Sequence, residues 1–561
     1  MATTPWSPNG DNDEKTAPAP LSGAVEEEAV SSSLHRTQTN RGIKSRHSQM
    51  IAIGGTIGTG LFVGSGQALA IAGPATLFLA YVIICFFVYG MMTTIMTVGT
   101  YLPLEGSSMA AYGSRYVSES LGFAMGYLYW YSFGIIVAYE ITAAALVISY
   151  WPNNIHIAVW LTIMFLVILG LNLMPVKFYA ESEFWFASTK VFMIIGLLLL
   201  AFILAVGGGP SGERIGFRYW QDPGAMNEYL VTGAAGRFCG FIYALAFSMF
   251  SFLFGPELII LTSGEMRSPR RNLPRAANTF IWRLIIFYIL GSLAIGVICR
   301  SDAPGLTSGG YGAAASPWTI AIKDAGIHVL DSIINAGIVL SAWSSGNSYL
   351  YMSSRSLYSM ACDGNAPKIF ARTNRWGVPV NAILMSALFG LLSYLNMSSS
   401  TSSVFNWFIS MTNSSGFISW ICSCVIFLRF TKACKAQGIT NLPFTSVFQP
   451  YAAWACLIFF VILCFLNGFS VFFPGHWSVE SFLTSYIGIA AFLVIYFGHR
   501  VLRWKEPWAY PSTHVDMVSG MDVIVAMEEE EATEREQLQA RGELKGAGPR
   551  AWVKKVRHVL V

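Results

Sequence analysis

Twelve apolar stretches, each about twenty residues long, recur along this chain and constrain its fold more than any other feature. They lie at roughly 48–70, 75–100, 120–150, 155–174, 184–206, 236–262, 279–300, 327–358, 378–396, 404–429, 450–473 and 481–503. Runs of that length match the hydrocarbon thickness of a bilayer, in which only helices and closed barrels satisfy their own backbone. The expected fold is therefore an all-α polytopic membrane protein with 12 transmembrane helices. Composition agrees: 54% of the 561 residues are hydrophobic and 12% are charged, with a mean hydropathy of +0.51. A water-soluble globule is excluded.

The placement of charge orients the helices. With these spans, one set of alternate loops holds 21 lysines and arginines, among them Arg36, Arg41, Lys44, Arg46, Arg115, Arg270, Arg355, Arg429 and Arg500. The other set holds five: Arg214, Arg218, Arg237, Arg300 and Lys323. Positive charge stays on the cytosolic side, so both termini are expected there. Residues 1–46 form a polar N-tail without an apolar leader region, expected to be disordered and cytosolic. Residues 47–504 are expected to form the membrane domain with its 12 transmembrane helices, and 505–561 a charged cytosolic C-tail. In that tail Glu528, Glu529, Glu530, Glu531, Glu534 and Glu536 suggest a solvated segment or a short surface helix.

Several functional classes drop out. A net charge of +4 leaves no electrostatic footprint for nucleic acid. The nine cysteines fall within or at the ends of apolar runs, so no disulfide framework is expected; Cys422 and Cys424 form a C-x-C with no further ligand at metal spacing. No phosphate loop, metal cluster or nucleophile triad marks an enzyme, and no cofactor is expected. Asn396 heads a glycosylation sequon close to the membrane.

Two spans are interrupted. From Ile51 to Gly66 the first carries six glycines in sixteen residues, too many for a continuous helix. A break near Gly58–Gly60 leaves amides that water cannot reach, and the half-helix after it presents a positive dipole end suited to a carboxylate. The sixth span reads Phe250-Ser-Phe-Leu-Phe-Gly-Pro-Glu257, where Pro256 removes a donor and Gly255 tolerates unusual dihedrals. Spans 1 and 6 are corresponding members of two five-span halves. That spacing points to a 5+5 inverted repeat with a central binding site, helices 11 and 12 lying outside it. Glu140, Lys190 and Glu257 are ionisable residues that cannot reach an interface, and so are candidates for substrate binding or proton coupling. Phe250, Phe252 and Phe254 are candidates for an aromatic lid.

The stretch Arg46-His-Ser-Gln-Met-Ile-Ala-Ile-Gly-Gly-Thr-Ile-Gly-Thr-Gly-Leu-Phe-Val-Gly-Ser-Gly66 resembles the opening signature of fungal amino-acid permeases, within the amino acid, polyamine and organocation superfamily. Glu183-Phe-Trp-Phe-Ala-Ser-Thr-Lys190, the segment 264–275 and the segment 345–358 resemble it further, and the likeness runs from 44 to about 504. It implies a plasma-membrane importer that moves amino acids with protons by alternating access. The substrate carboxylate would meet Gly58, Thr59 and Gly60, with Thr56 in the same stretch, and the amino group would meet the second break at Ser251, Phe252 and Phe254. Glu140, Trp343 and Asn413 would line the pocket. Lys190 would replace a sodium ion near Ser344 and Ser345, and Glu257 would share in proton coupling. Lys15 and Lys44 would accept ubiquitin through ligase adaptors at the tails. Gly255-Pro-Glu257 and the segment 341–347 are similar to the proline and neutral amino-acid permeases, so neutral substrates, proline among them, are expected. Two other readings stay open: an amino-acid sensor that does not transport, and a carrier of polyamine- or choline-type amines.

Overall fold

The computed structural model describes residues 58–540 except 104–107, 149, 152–153, 211, 262, 264–267, 308–315, 328 and 398–400. Thr56, Lys15 and Lys44 lie outside the described residues. The described residues are helical, with no strand among them. In chain order the helices are α1 (Gly60–Ala72), α2 (Pro74–Tyr101), α3 (Glu119–Ile148), α4 (Ile157–Leu173), α5 (Val176–Val206), α6a (Gly233–Ser248), α6b (Gly255–Leu261) and α7 (Pro269–Ile298). They continue as α8 (Leu330–Cys362), α9 (Val380–Met397), α10 (Thr401–Ala436), α11 (Tyr451–Leu466), α12 (Val479–Leu502) and α13 (Met521–Ala540). Among the described residues, eight helices are long and apolar enough to cross a membrane, the broken α6 counted as one; α1, α4 and α11 are shorter apolar helices.

Burial ranks these helices from centre to rim. The most apolar window of α3 is 94% buried and packs along α8, whereas that of α12 is 11% buried. α3 is therefore the axis around which the others assemble. α12 presents apolar side chains such as Leu493, Val494 and Phe497 outward, as a helix facing lipid does.

Two helices begin earlier than expected. α5 starts at Val176, eight residues before the predicted 184, because Glu183 looks like a loop residue in sequence yet is buried against α8. α7 starts at Pro269, a residue that fits the first helical position. Its arginine-rich first turns are helical because Leu273, Ala276, Ala277 and Phe280 recur at helical spacing and bury one face.

The segment after α12 is more than a solvated tail. Tyr510 donates its amide to Val117 O at 3.0 Å, and Gln437 Nε2 donates to Ser512 O and Val515 O at 3.1 and 2.8 Å. Arg115 bonds Asp516 Oδ2 at 3.0 Å and Ser519 O at 2.6 Å, while Tyr101 Oη donates to Met517 O at 3.2 Å. Val515, Met517 and Ile524 are buried. The tail thus straps the ends of α2 and α10 and the short helix Met109–Tyr116, and α13 follows it as the expected helix.

None of the nine cysteines is in a disulfide, and Asn396 is buried with its amide donated to Thr142 Oγ1 at 2.9 Å.

Candidate functional site

Description of the first break begins at Gly58. The chain enters α1 through a wide first turn, Gly60–Gly64, in which Leu61 donates its amide to Gly58 O at 3.3 Å. Thr59, next to that turn, makes no side-chain cap, because its Oγ1 is committed elsewhere: it donates to Glu140 Oε2 of α3 at 2.9 Å. The amides that open α1, at the positive end of a helix, therefore gain no acceptor from Thr59. Gly58 is tightly enclosed by two polar side chains. A Cβ there would lie 3.1 Å from Glu140 Oε1 and 3.2 Å from Ser345 Oγ.

The second break spans residues 249–254. α6a ends at Ser248, Met249–Ser251 tightens to a 3-10 turn, and Phe254 adopts φ 63, a left-handed conformation that costs a bulky residue energy. α6b then restarts at Gly255. This corrects the expected role of Pro256, which sits in the first turn of α6b, where no N–H partner is needed; it starts the second half-helix instead of breaking the first.

The start of α1 and the break in α6 meet at Gly60 and Ser251. A Cβ on Gly60 would lie 2.7 Å from Ser251 Oγ and 3.1 Å from Phe250 Cδ1. Ser251 O is held by Tyr288 Oη of α7 at 3.1 Å. Phe250 continues the wall, its ring 4.4 Å from Tyr139, which lies 4.7 Å from Phe405 of α10. Phe252 and Phe254 point elsewhere. Phe252 packs between Tyr81 and Tyr288 at 5.5 and 4.2 Å, and Phe254 packs on Phe133 at 5.1 Å. Of the three phenylalanines, Phe250 is the one brought against Gly60.

The buried charges form two groups. In the first, Glu140 faces Gly58 and Thr59, and Lys190 Nζ donates to Ser345 Oγ at 3.1 Å, so Ser345 links the lysine to the first break. Glu183 belongs to the same face of α5, where its Oε1 accepts from Ser344 Oγ at 2.8 Å. Glu140, Glu183 and Lys190 are 3%, 0% and 2% exposed, and charges so deeply buried persist only with partners. Glu257 forms the second group: Trp420 Nε1 and Ser419 Oγ of α10 donate to its Oε1 at 2.7 and 3.3 Å. Ser419 Oγ also lies 2.7 Å from Tyr129 Oη of α3.

Two expected lining residues stand apart. Trp343 packs on Phe186 of α5 at 5.4 Å, two positions and about 200° of helix away from Ser345. Asn413 donates to Ala246 O of α6a at 3.0 Å, a brace for the end of the half-helix. Two contributors were missed in sequence: Tyr139, which extends the wall begun by the lid candidate Phe250, and Glu183 beside Lys190. The signal for Glu183 was its seven-residue spacing from Lys190, which sets both on one helical face. Among the described residues no cluster of His, Cys, Asp and Glu could hold a metal ion.

Comparison with known proteins places this geometry in context. The family described as amino acid permease matches residues 47–508. A proline-specific permease of Emericella nidulans is 47% identical over 526 residues, covering 93% of both chains. A proline-specific permease of Saccharomyces cerevisiae is 45% identical over 509 residues, covering 89% of this chain and 80% of that one. A probable proline-specific permease of Schizosaccharomyces pombe is 46% identical over 486 residues, covering 86% and 87%. Among solved structures, a manganese transporter of Eremococcus coleocola is similar with a TM-score of 0.51 and 14% identity, covering 82% of this chain and 93% of that one. At that identity the likeness concerns the fold alone.

Proposed function

The chain belongs to the amino acid permease family, a multi-pass membrane transporter of amino acids and not an enzyme, and from that premise we propose that it imports neutral amino acids, proline first, together with protons. The observation that carries this reading is the meeting of the start of α1 and the break in α6 at Gly60 and Ser251, beside Glu140 and the Lys190–Ser345 pair. A zwitterion needs two opposite features within a few ångströms. The amides of Gly58, Thr59 and Gly60 supply the carboxylate site, and the unwound carbonyls around Ser251 the amino site. Glu140 lines that site through Thr59, and Phe250 closes over an apolar substrate body. Three relatives whose names specify proline, at 45–47% identity, favour proline as the first substrate.

Lys190 supplies a positive charge where a sodium-coupled transporter would need an ion, so the coupling ion is a proton carried by that amine, with Glu257 as a further buried coupling group on the moving half-helix α6b. α1–α5 and α6–α10 form two inverted halves, with α11 and α12 outside, and alternating access moves one against the other around the breaks. Residues 47–504 carry transport, between an N-tail of 46 residues and a C-tail from 505. The protein sits in the plasma membrane with both tails cytosolic, Lys15 and Lys44 accepting ubiquitin through ligase adaptors.

The test is uptake of radiolabelled proline, alanine, arginine and glutamate into cells lacking their own permeases, with and without a protonophore. Protonophore-sensitive accumulation of proline or alanine is expected. Arginine or glutamate uptake would overturn the substrate assignment, and surface expression with no uptake would favour a sensor or an amine carrier.

A further inference from the structure

α5 carries Glu183 and Lys190 seven positions apart, close to two helical turns, so they project from one face. That face packs on α8, where consecutive serines receive them. Ser344 Oγ donates to Glu183 Oε1 at 2.8 Å, and Lys190 Nζ donates to Ser345 Oγ at 3.1 Å. The carboxylate and the ammonium interact electrostatically, with Glu140 a further anionic neighbour of the lysine. Ser345 Oγ is the atom a Cβ at Gly58 would meet at 3.2 Å, so the position of the amine is felt at the first break.

The surroundings single out Glu183 as the acid that acts on Lys190 from its own helix. α4, and residues 290–298 of α7, which pack on α5, carry no ionisable residue. α3 contributes Glu140. α8 contributes Tyr351, stacked on Tyr179 of α5 at 4.4 Å, and Arg355, whose guanidinium lies 4.9 Å from the Tyr351 ring. Both belong to the turns after Ser345, beyond the serines that hold the pair.

We propose that Glu183 is a positioning residue for proton coupling: it holds the Lys190 ammonium against Ser345 and sets the pH at which that amine gives up its proton. The proposal rests on the reading of Lys190 as the coupling amine. Glu183 is held by Ser344 and is not among the groups brought together at Gly60 and Ser251, so its removal changes the pH window of transport more than the affinity for proline. A carboxylate beside a cation moves that cation's titration by about 1–3 pH units, and losing it makes the amine easier to deprotonate.

The experiment measures proline uptake against external pH for the full-length protein, Glu183→Gln, Glu183→Asp and Lys190→Ala, with surface amount determined for each. Glu183→Gln is expected to shift the alkaline limb of the profile toward acid by about 1–3 units with KM for proline changed less than about threefold, and Glu183→Asp to restore the wild-type profile. An unshifted profile in Glu183→Gln, or an equal loss at every pH that Glu183→Asp does not rescue, overturns the proposal. If Glu183→Gln does not reach the surface, Ser344→Ala is read instead, since it keeps the carboxylate but removes the hydroxyl that holds it. A shifted profile in Ser344→Ala then supports the proposal and a wild-type profile overturns it. Lys190→Ala separates the two readings. Retained protonophore-sensitive accumulation defeats coupling through Lys190 itself, whereas an uncoupled Lys190→Ala with an unshifted Glu183→Gln defeats only the role of Glu183.

Discussion

Gly60 and Ser251 touch where the start of α1 meets the break in α6: a Cβ on Gly60 would sit 2.7 Å from Ser251 Oγ and 3.1 Å from Ser251 Cα. The first conflict can be relieved by turning a side chain; the second is with backbone. Gly60→Ala therefore has to push the 249–251 turn away. Overpacking of this kind costs about 1–3 kcal/mol, which corresponds to roughly a 5- to 150-fold loss. The expected result is normal surface expression with proline uptake down by at least about tenfold, and Ser251→Gly should restore only part of it.

The Thr59–Glu140 hydrogen bond at 2.9 Å ties the first break to α3. Glu140→Gln keeps the shape but replaces a charged acceptor, and such bonds contribute about 1.5–3 kcal/mol. KM for proline is expected to rise about tenfold, with Thr59→Ser close to wild type. If Glu140→Gln transports with unchanged KM and substrate range, Glu140 is not part of the site.

Trp420 Nε1 donates to Glu257 at 2.7 Å inside the bundle. Trp420→Phe preserves most of the ring volume and removes the donor. A buried carboxyl deprived of a partner costs about 1–3 kcal/mol, so the purified protein should melt earlier in detergent. Glu257→Gln in the Trp420→Phe background should recover part of the loss, because the amide is less costly to bury.

The docked tail depends on Asp516. Partial burial pushes its carboxyl upward, but hydrogen bonds from Ser519 and Val518 and the nearby Arg115 outweigh that and hold it below the usual carboxylate range. The folded value is lower than the unfolded one, so this contribution is complete above the ordinary value of about 4 and is lost as pH falls through the lowered one. Amide hydrogen exchange in residues 516–520 should be protected at pH 7 and lose protection in acid. Asp516→Asn should show the unprotected pattern already at pH 7; equal protection in wild type and Asp516→Asn would remove this carboxylate from the docking.

Much of the fold was legible because hydropathy is a local signal. The apolar runs predicted α2 at 75–100 and α12 at 481–503, and the structure places them at Pro74–Tyr101 and Val479–Leu502. Glycine density likewise marked where α1 starts, at Gly60, since the cost of helical glycine is paid residue by residue. The phase of a helix was legible too, though unused: Trp343 and Ser345 cannot share a face.

What one stretch of chain does to a distant one was not legible. Glu183 reads as a loop residue until Ser344, 161 positions away, receives it. Which phenylalanine faces Gly60 depends on the left-handed turn at Phe254, and nothing in the run Phe250–Phe254 announces that turn. The C-tail looks solvated because Asp516 and its neighbours are polar, yet Arg115, 401 residues earlier, binds it. The sequence by itself determined the membrane class, the positions of helices such as α2 and α12 and the weak point in helix 6, all properties of contiguous residues. Only the tertiary structure decided which buried charges are partners and which side chains meet at the breaks. Those depend on helix rotation and crossing, which are set by packing among all the helices at once.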